Sequence, residues 1–429
     1  MQKGINILGY INKQFGLGEG ARSNIRAMEA AEIPYVMNDF KGEIASDIIE
    51  ENENGLPILT DNPYAINLMQ INAGNFRELL KVTDEKYFSK KYNIGFWAWE
   101  LEKFPQAYND YMEILDELWV PSNFCLNAIS QVSSKPVLRF MHSIAVPEET
   151  KLTRKDFNLP EGPVMYLTIF DYNSTVSRKN PFATIDAFEL AFGKNSTEAI
   201  LVLKTSAGIN YRTDRKLLKE RVQANNSIIL IEDALPREQL DGLMHLCDVY
   251  VSLHRSEGFG LTMAEAMYLG KPVIATGYSS NLEYMNSENS FLVPYTLIPI
   301  KDPFFFPELN NLWADADVPK AAEIMKMLAD DVTLRESVGK KARNDVRISL
   351  APARIGEKIK ERIDYIYENI IPNKGNAEQD IIFNLTGENA ILKEKVSALK
   401  KIKTIKLKLA FKNFMNKVRG KNKKYIWED

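Results

Sequence analysis

Two glutamates eight residues apart form the clearest chemical pattern in this sequence. Glu257 and Glu265 lie on either side of a Gly-Phe-Gly turn, between an apolar run over 249–253 and a helix-like segment that ends at Leu269. In open α/β sheets, ligands bind beyond the carboxyl ends of the strands, where such turns lie. Carboxylates at this place can accept hydrogen bonds from the vicinal hydroxyl groups of a sugar or a ribose, and each charged hydrogen bond contributes about 1.5–3 kcal/mol.

Both glutamates also have simpler interpretations. Thr262 and Glu265 have the spacing of a capping box, in which Glu265 would only satisfy a free N–H group at the start of the helix. Glu257 could be a solvated loop acid, although an acid between a serine and this turn has no evident capping or packing duty. The residues alone leave these alternatives open.

The wider segment around the two glutamates resembles the signature of family 4 of the retaining nucleotide-sugar glycosyltransferases, of group 1 type. The resemblance covers 252–281 and rests on Glu257, Glu265, the residues 258–261 between them, and Gly-Lys-Pro-Val at 270–273. It implies an α/β protein of GT-B architecture, in which two Rossmann-like doubly wound domains face each other across a cleft. The C-terminal domain of such a protein holds most of the donor nucleotide.

The resemblance also implies roles within this segment. Glu265 would hold the ribose diol of the nucleotide, and Glu257 would hold hydroxyl groups of the donor sugar. Backbone N–H groups would help to stabilise the departing diphosphate, since electrostatic stabilisation is usually the largest catalytic term. The residues expected to contact the donor through the backbone are Gly258, Phe259, Gly260 and Leu261.

A second group of candidate residues is basic. Arg178 and Lys179 lie at a turn before an expected helix over 182–192, where they would meet a diphosphate with charge and bidentate geometry. The family usually has Gly-Arg at the end of the preceding strand, where this chain has Phe-Asp, so Lys179 matches the family pattern and Arg178 matches only by proximity. Lys204, at the end of the next strand, is a further phosphate candidate. Each could instead be a solvated surface cation.

Gly16 and Gly18 lie in an expected loop over 12–20 that follows a first strand over 5–11. By resemblance, these glycines let the backbone approach the donor diphosphate and sugar from across the cleft. They also match G-x-G-x-x-A, and Asp39 lies at a suitable distance downstream to bind a ribose. An NAD(P)-dependent oxidoreductase is therefore one alternative, and a plain loop at a helix start is another.

Glu100 follows a strand-like run and is flanked by Trp97 and Trp99. Sugar rings pack their C–H faces on aromatic rings, so Glu100 is the candidate for the acceptor side. In the alternative interpretation, the two tryptophans belong to the core and Glu100 begins an exposed helix. His142, near the expected crossing between the domains, is interpreted as structural.

Composition adds few constraints. The 429 residues are 45% hydrophobic and 26% charged, as in an ordinary globular protein of two or three domains. Cys125 and Cys247 are far apart and suggest neither a disulfide nor a zinc site, which favours a reducing cytoplasm. The sequence Asp-Ala-Asp at 315–317 resembles a metal-binding D-x-D but follows no expected apolar strand, so we expect neither a metal nor another cofactor.

We divide the chain into four parts. These are an acceptor domain over 1–150, a donor domain over 151–350, a helix over 351–372 that returns to the first domain, and a linker with a basic amphipathic helix over 373–429. Residues 391–424 contain thirteen Lys or Arg against one acid. Such a tail favours an anionic membrane surface or a partner helix, and nucleic acid is not expected.

The sequence as a whole predicts a metal-independent, retaining glycosyltransferase. It would move a hexosyl group from a nucleotide sugar, such as GDP-mannose or a UDP- or dTDP-sugar, to a hydroxyl of a glycan or lipid-linked glycan in cell-surface polysaccharide biosynthesis. We expect it in the cytoplasm, at the periphery of the inner face of the membrane. Besides the oxidoreductase, a non-catalytic sugar- or nucleotide-binding module is an alternative, because of the tail and the missing Gly-Arg pair.

Overall fold

The computed structural model describes residues 2–40, 61–206, 212–302 and 305–374. The predicted basic amphipathic helix and its membrane or helix partner therefore lie outside the described residues. Within these four ranges, no helix is both long enough and apolar enough to cross a bilayer.

The described part of the N-terminal half forms a six-stranded parallel sheet with the order β2-β1-β3-β4-β5-β6. The strands β1 to β6 are Ile5–Gly9, Tyr35–Asp39, Ile66–Gln70, Tyr92–Phe96, Glu117–Val120 and Val137–Arg139. The direction of winding reverses between β1 and β3. Ligands of such sheets bind beyond the carboxyl ends of the strands at this switch point.

The C-terminal half forms a second parallel sheet, again of six strands among the described residues, with the order β12-β11-β10-β7-β8-β9. The strands β7 to β12 are Val164–Asp171, Ala199–Ser206, Ile228–Ile231, Val249–Ser252, Val273–Thr276 and Phe291–Val293. This is the strand order of a Rossmann fold, with its switch point between β7 and β10. The prediction of two doubly wound α/β domains is therefore confirmed.

Helices connect the strands, as parallel pairing requires. The helices α1 to α7 are Gly16–Ala30, Phe76–Val82, Glu85–Phe88, Asn109–Met112, Asn123–Ser130, Val176–Lys179 and Pro181–Phe192. The helices α8 to α13 are Arg212–Gln223, Arg237–Leu246, Leu261–Tyr268, Val318–Asp330, Val332–Ser349 and Pro352–Tyr365. An antiparallel pair outside the two large sheets is formed by β13 (Tyr295–Pro299) and β14 (Leu312–Ala316).

Both faces of each sheet are buried. In β7, Tyr166 packs in one apolar cluster with α7 and α11, whereas Met165 and Leu167 pack in another with α10. In β1, Ile7 and Leu8 likewise belong to different clusters. Because successive side chains of a strand point to opposite faces, short apolar runs become the central layer of each domain.

The first helix begins earlier than the sequence predicts. The loop after β1 was expected to continue to Gly20, but α1 begins at Gly16, so Gly18 and Glu19 lie in its first turn. A Cβ atom at position 18 would come within 2.0 Å of the carbonyl oxygen of Lys13. The absence of a side chain there lets the first turn pack against the preceding loop, and this part of the loop prediction is wrong for that reason.

The helix α13 packs on the first domain. Ile355, Ile359 and Ile363 are buried in the apolar cluster that contains Ile5 of β1 and Ile25 of α1. This contact places the end of the described chain against the N-terminal half of the protein. The domain boundaries given above stay a prediction.

Candidate functional site

The basic pair and the first glutamate of the motif meet at the switch point of the second sheet. The chain leaves β7 into α6, which carries Arg178 and Lys179, and leaves β10 into the turn that carries Glu257. Because β7 and β10 are neighbouring strands, these two connections start side by side. Residues 78 positions apart are thereby brought into contact.

These side chains form a buried cluster of charges. Lys179 Nζ lies 2.5 Å from Glu257 Oε1, and Arg178 Nη1 lies 3.3 Å from Glu257 Oε2. Arg178 also donates a hydrogen bond to the carbonyl oxygen of Ser256 at 3.0 Å. Its Nη2 lies 3.7 Å from Oε1 of Glu100, which comes from the first domain. Two cations and two carboxylates from both domains thus offset one another, and Arg178 and Glu257 are only 5% and 6% exposed.

The charge state of Glu257 follows from these contacts. Burial favours the protonated carboxyl, but the attraction of Lys179 and Arg178 outweighs it and lowers the pKa of Glu257 to about 2. Burial also opposes the charge of Arg178, yet the neighbouring carboxylates raise its pKa. Glu257 is therefore ionised at physiological pH and can only accept hydrogen bonds.

Glu100 reaches the cluster from the segment after β4. Its carbonyl oxygen accepts a hydrogen bond from the hydroxyl of Ser256, which ties the first domain to the turn of the motif. The alternative that Glu100 begins a helix is wrong, because residues 97–105 belong to neither a helix nor a strand. Trp97 is fully buried, whereas Trp99 is half-buried. The side chain of Glu100 keeps 26% of its surface exposed and so stays accessible at the cluster.

The turn between the two glutamates is held against the first domain. The carbonyl oxygen of Gly258 accepts a hydrogen bond from Ser122 Oγ at 3.2 Å, and Phe259 is buried with its ring against His142. Gly260 has a φ of +86°, and a Cβ there would lie 2.4 Å from Cε of Met263, so this position requires glycine. The helix α10 starts immediately afterwards at Leu261 and places its N-terminus, whose first N–H groups lack partners within a helix, at the switch point.

Glu265 is not part of a capping box. The N-cap of α10 is Gly260, and Thr262 Oγ1 accepts a hydrogen bond from the hydroxyl of Tyr250 at 2.8 Å. Glu265 instead accepts a hydrogen bond from Arg237 Nη2 at 2.8 Å. Burial raises the pKa of Glu265, and the attraction of Arg237 only partly opposes this effect.

Sequence reasoning missed Arg237 and its partner Glu19. Arg237 is the first residue of α9, and its Nη1 lies 3.6 Å from Oε2 of Glu19 in the first domain. Glu19 also pairs with Arg22 at 3.0 Å and with Arg26 at 2.6 Å. The available signals were an acid between two glycines and an arginine at a helix start after Pro236, and both patterns are common on protein surfaces.

The two glycines of the first domain differ in their surroundings. The place of a Cβ at Gly16 is open, with no atom within 4 Å, whereas Gly18 fills its position against the preceding loop. Gly16 therefore leaves room for a ligand, and Gly18 serves the packing of α1. Asp39, the ribose candidate of the oxidoreductase alternative, accepts a hydrogen bond from the backbone N–H of Asn12 at 3.3 Å.

Lys204 is not a solvated surface cation. It is 5% exposed, lies within β8, and donates a hydrogen bond to the carbonyl oxygen of Thr205 at 2.8 Å. Burial lowers the pKa of its ammonium to about 8, against the attraction of Asp171 and Asp233. The hydrogen bond of Lys204 thus goes to its own strand rather than to the Glu257 cluster.

His142 lies at the interface of the two domains. Its ring is stacked on Phe96 at 5.2 Å and meets Phe259 edge-on at 5.1 Å. Burial lowers the pKa of this histidine to about 4, so the ring is neutral at physiological pH. The interpretation of His142 as a structural residue stays a prediction.

The aspartates of the D-x-D sequence have other partners. Asp315 lies in β14 and accepts a hydrogen bond from Arg255 Nη2 at 2.9 Å, so the expectation that it follows no strand is wrong. Asp317 caps α11 by accepting a hydrogen bond from the N–H of Lys320 at 2.9 Å. Among the described residues, no group of three or more His, Cys, Asp or Glu could hold a metal ion.

Part of the chain matches a known family model. Residues 152–296 match the family model of glycosyl transferases group 1, and this range contains Arg178, Lys179, Glu257 and Glu265. No curated protein matches the chain.

Solved structures share the fold at low sequence identity. HepE of Anabaena, in complex with UDP and glucose, is 13% identical with a TM-score of 0.60, over 85% of this chain and 100% of that chain. Sucrose-phosphate synthase of Thermosynechococcus elongatus is 15% identical with a TM-score of 0.61, over 85% and 99%.

A mutant of S. aureus TarM, in complex with fondaparinux, alpha-GlcNAc-glycerol and UDP, is 14% identical with a TM-score of 0.52. That likeness covers 70% of this chain and 55% of the TarM chain, so this chain spans about half the length of that protein. These likenesses confirm the predicted GT-B fold of two Rossmann-like domains. Assignment to glycosyltransferase family 4 stays a prediction.

Proposed function

We propose that this protein is a retaining glycosyltransferase of family 4, which moves a hexosyl group from a nucleotide sugar to a hydroxyl of a glycan or lipid-linked glycan. The observation that carries the proposal is the buried cluster of Glu257, Lys179 and Arg178 at the switch point of the second sheet. The match of residues 152–296 to glycosyl transferases group 1 supports it. The complexes of HepE and TarM with UDP support a nucleotide-sugar donor.

Donor binding would rearrange the charge cluster. Lys179 and Arg178 now offset the charge of Glu257, and a diphosphate would compete for the same cations through charge-assisted hydrogen bonds. Glu257, firmly ionised, would then accept hydrogen bonds from hydroxyl groups of the donor sugar. Glu265, one helical turn into α10, would accept those of the ribose diol.

The acceptor would enter from the side of the first domain. Glu100 lies next to Arg178 and is the more exposed of the two carboxylates in the cluster, so it can meet an acceptor hydroxyl. In the reaction, the bond between the anomeric carbon and the diphosphate oxygen breaks as the acceptor oxygen bonds to the same carbon from the same face. The leaving diphosphate takes the proton of the acceptor, and Lys179 and Arg178 offset its charge without a metal.

The place of this reaction in the cell is part of the proposal. A lipid-linked acceptor would suit a cytoplasmic enzyme at the periphery of the inner face of the membrane, attracted there by the basic residues of 391–424. The product would belong to a cell-surface polysaccharide.

A thermal-shift panel tests the proposed function. UDP, GDP, dTDP, ADP, their sugars and NAD are added in the presence of EDTA to the wild type, to Glu265→Ala and to the control Glu198→Ala, whose carboxylate is 66% exposed. We expect stabilisation by one nucleotide family, reduced in Glu265→Ala and unchanged in the control. Stabilisation by NAD alone would overturn the proposal in favour of an oxidoreductase, and no stabilisation at all would favour a scaffolding or glycan-binding module.

A further inference from the structure

One guanidinium joins three carboxylates at the interface of the two domains. Arg237 lies 2.8 Å from Oε1 of Glu265, 2.9 Å from Oδ1 of Asp241 and 3.6 Å from Oε2 of Glu19. Its side chain is 17% exposed, and those of the three acids are at most 9% exposed. The three acids belong to α10, α9 and α1, so the arginine links both domains.

A second contact holds the start of α9 against the first domain. Gln14 Nε2 donates a hydrogen bond to the carbonyl oxygen of Leu235 at 3.0 Å, two residues before Arg237. Glu19 is itself held by Arg22 and Arg26. The first domain thus contacts residues 235–237 through a hydrogen bond to the backbone and through an ion pair with Arg237.

The geometry leaves Glu265 free to bind a ligand. Arg237 bonds to Oε1 of Glu265, and among the described residues no donor bonds to Oε2, which leaves its lone pairs for a pair of hydroxyl groups. Guanidinium groups present donors in a rigid fork, so they orient a carboxylate more strictly than a lysine does. Removal of this cation would leave a buried carboxylate whose ionisation burial opposes.

We propose that Arg237 is a positioning residue for Glu265 and that Glu19 of the first domain holds Arg237 in place. The nucleotide ribose would then be bound through a carboxylate whose orientation depends on contact between the two domains. This inference rests on the proposed function, because it assigns the ribose to Glu265.

The test is the dissociation constant of the nucleotide diphosphate that stabilises the wild type among UDP, GDP, dTDP and ADP, measured by calorimetry on the full chain. The variants are R237Q, R237K, E265Q, R237Q with E265Q, and E19Q. The control is R221Q, because Arg221 lies on α8, is 37% exposed and pairs with Asp186 and Glu189 rather than with a residue of the proposed site. Circular dichroism melts confirm that each variant is folded.

We expect R237Q to weaken binding at least about tenfold, R237K to recover part of that loss, and R221Q to stay within about twofold of the wild type. Because Arg237 acts through Glu265, the double variant should bind within about twofold of E265Q alone. E19Q should weaken binding about threefold or more, since it releases one side of Arg237.

Two results would overturn the inference: binding by R237Q within about twofold of the wild type, or a double variant in which the two losses multiply. If R237Q does not fold, R237K and E19Q replace it in the test. The inference is then overturned if the dissociation constants of both variants equal that of the wild type. Failure of the proposed function is recognised separately, because the wild type itself would then bind none of the four diphosphates.

Discussion

The two glutamates of the motif are eight residues apart, and the protein holds them in different ways. Glu257 contacts two cations, Arg178 and Lys179, and its pKa is lowered to about 2. Within the part of the chain that the structure describes, Glu265 contacts one cation, Arg237, which it shares with other acids, and its pKa is raised because burial prevails. Two acids of one motif thus differ in charge stability, because Glu257 has two cations and shares one of them with Glu100, whereas Glu265 shares its one cation with two other acids.

The two glutamates also depend differently on the contact between the domains. The cations of Glu257 come from its own domain, so its charge persists whether or not the domains touch. The cation of Glu265 is tied to Glu19 of the other domain. If Glu265 holds the ribose as proposed, its binding of that ribose would depend on the contact between the two domains.

The strongest test of this contrast removes Glu257. Glu257→Ala removes a carboxylate partner of the buried Arg178 and the partly buried Lys179, which should lower the free energy of unfolding by about 3–5 kcal/mol. Sugar transfer should fall at least about 100-fold, since the donor sugar loses its carboxylate. Thermal or urea unfolding and a donor-turnover assay measure the two effects. The exposed control Glu198→Ala should change neither stability nor sugar transfer. A Glu257→Ala protein as stable as the wild type would contradict the difference between the two glutamates.

Removal of one cation should have the next largest effect. Lys179→Ala should weaken binding of the nucleotide diphosphate by about 10- to 100-fold, because a charged hydrogen bond to the phosphates is lost. The pKa of Glu257 should rise from about 2, since one of its two cations is gone. Calorimetry measures the affinity for the nucleotide diphosphate. Lys216→Ala, whose side chain is 78% exposed, is the control, and unchanged affinity in Lys179→Ala would refute the phosphate role.

The pH dependence of stability tests the burial of His142 at the interface between the two domains, where both glutamates also lie. Its pKa is lowered to about 4 by burial, while a histidine of the unfolded chain has a pKa of about 6.5. As the pH falls below about 6.5, the unfolded chain takes up a proton that the folded protein refuses, so stability falls until about pH 4. Between pH 7 and pH 5 the loss should be about 2 kcal/mol.

His142→Gln should remove this part of the pH dependence. Unfolding curves of both proteins at pH 7 and pH 5 supply the comparison. Equal losses in the wild type and the variant would show that His142 is accessible to protons in the folded protein.

Neutralisation of the second glutamate should affect binding rather than stability. Glu265→Gln should weaken binding of the nucleotide diphosphate about tenfold. The stability loss should stay below about 1 kcal/mol, because burial already opposes the charge and Arg237 keeps Glu19 and Asp241 as partners. Calorimetry and thermal unfolding measure the pair of effects. A stability loss as large as that of Glu257→Ala would erase the difference between the two glutamates.

The smallest effect is expected from metal removal. Neither EDTA nor Asp315→Asn should change nucleotide affinity by more than about twofold, since Arg178 and Lys179 would offset the phosphate charge and the partly exposed pair of Asp315 with Arg255 contributes little. Calorimetry with EDTA, and then with added Mg²⁺ or Mn²⁺, provides the measurement. A large gain of affinity with either ion would show that the cations of the protein are insufficient.

Much of the fold could be predicted because its strands are short, apolar and buried on two faces. All residues of β1 and β4 are buried, and both strands had been expected from their apolar runs. The start of α1 was predicted too late, because glycines usually indicate a loop, whereas Gly18 here serves a close contact within a helix.

The candidate site was predictable only where a motif marks it. Glu257, Lys179 and Glu265 were singled out through their spacing and their resemblance to a family. Arg237 and Glu19 were not singled out, because their contacts depend on how three helices that are separate in the chain, α1, α9 and α10, pack together. The burial of Lys204 could not be predicted either, since its neighbours in the strand do not show which strands flank it.

The sequence by itself determined which residue types are available and which segments become strands and helices, because burial of apolar surface and local turn chemistry act over a few residues. The tertiary structure alone decided that Lys179 meets Glu257 and that Arg237 joins Glu265 to Glu19. These contacts follow from the order of parallel strands and from the approach of two domains, and both bring together residues far apart in the chain. The charge state of each glutamate therefore depends on neighbours that no short stretch of sequence contains.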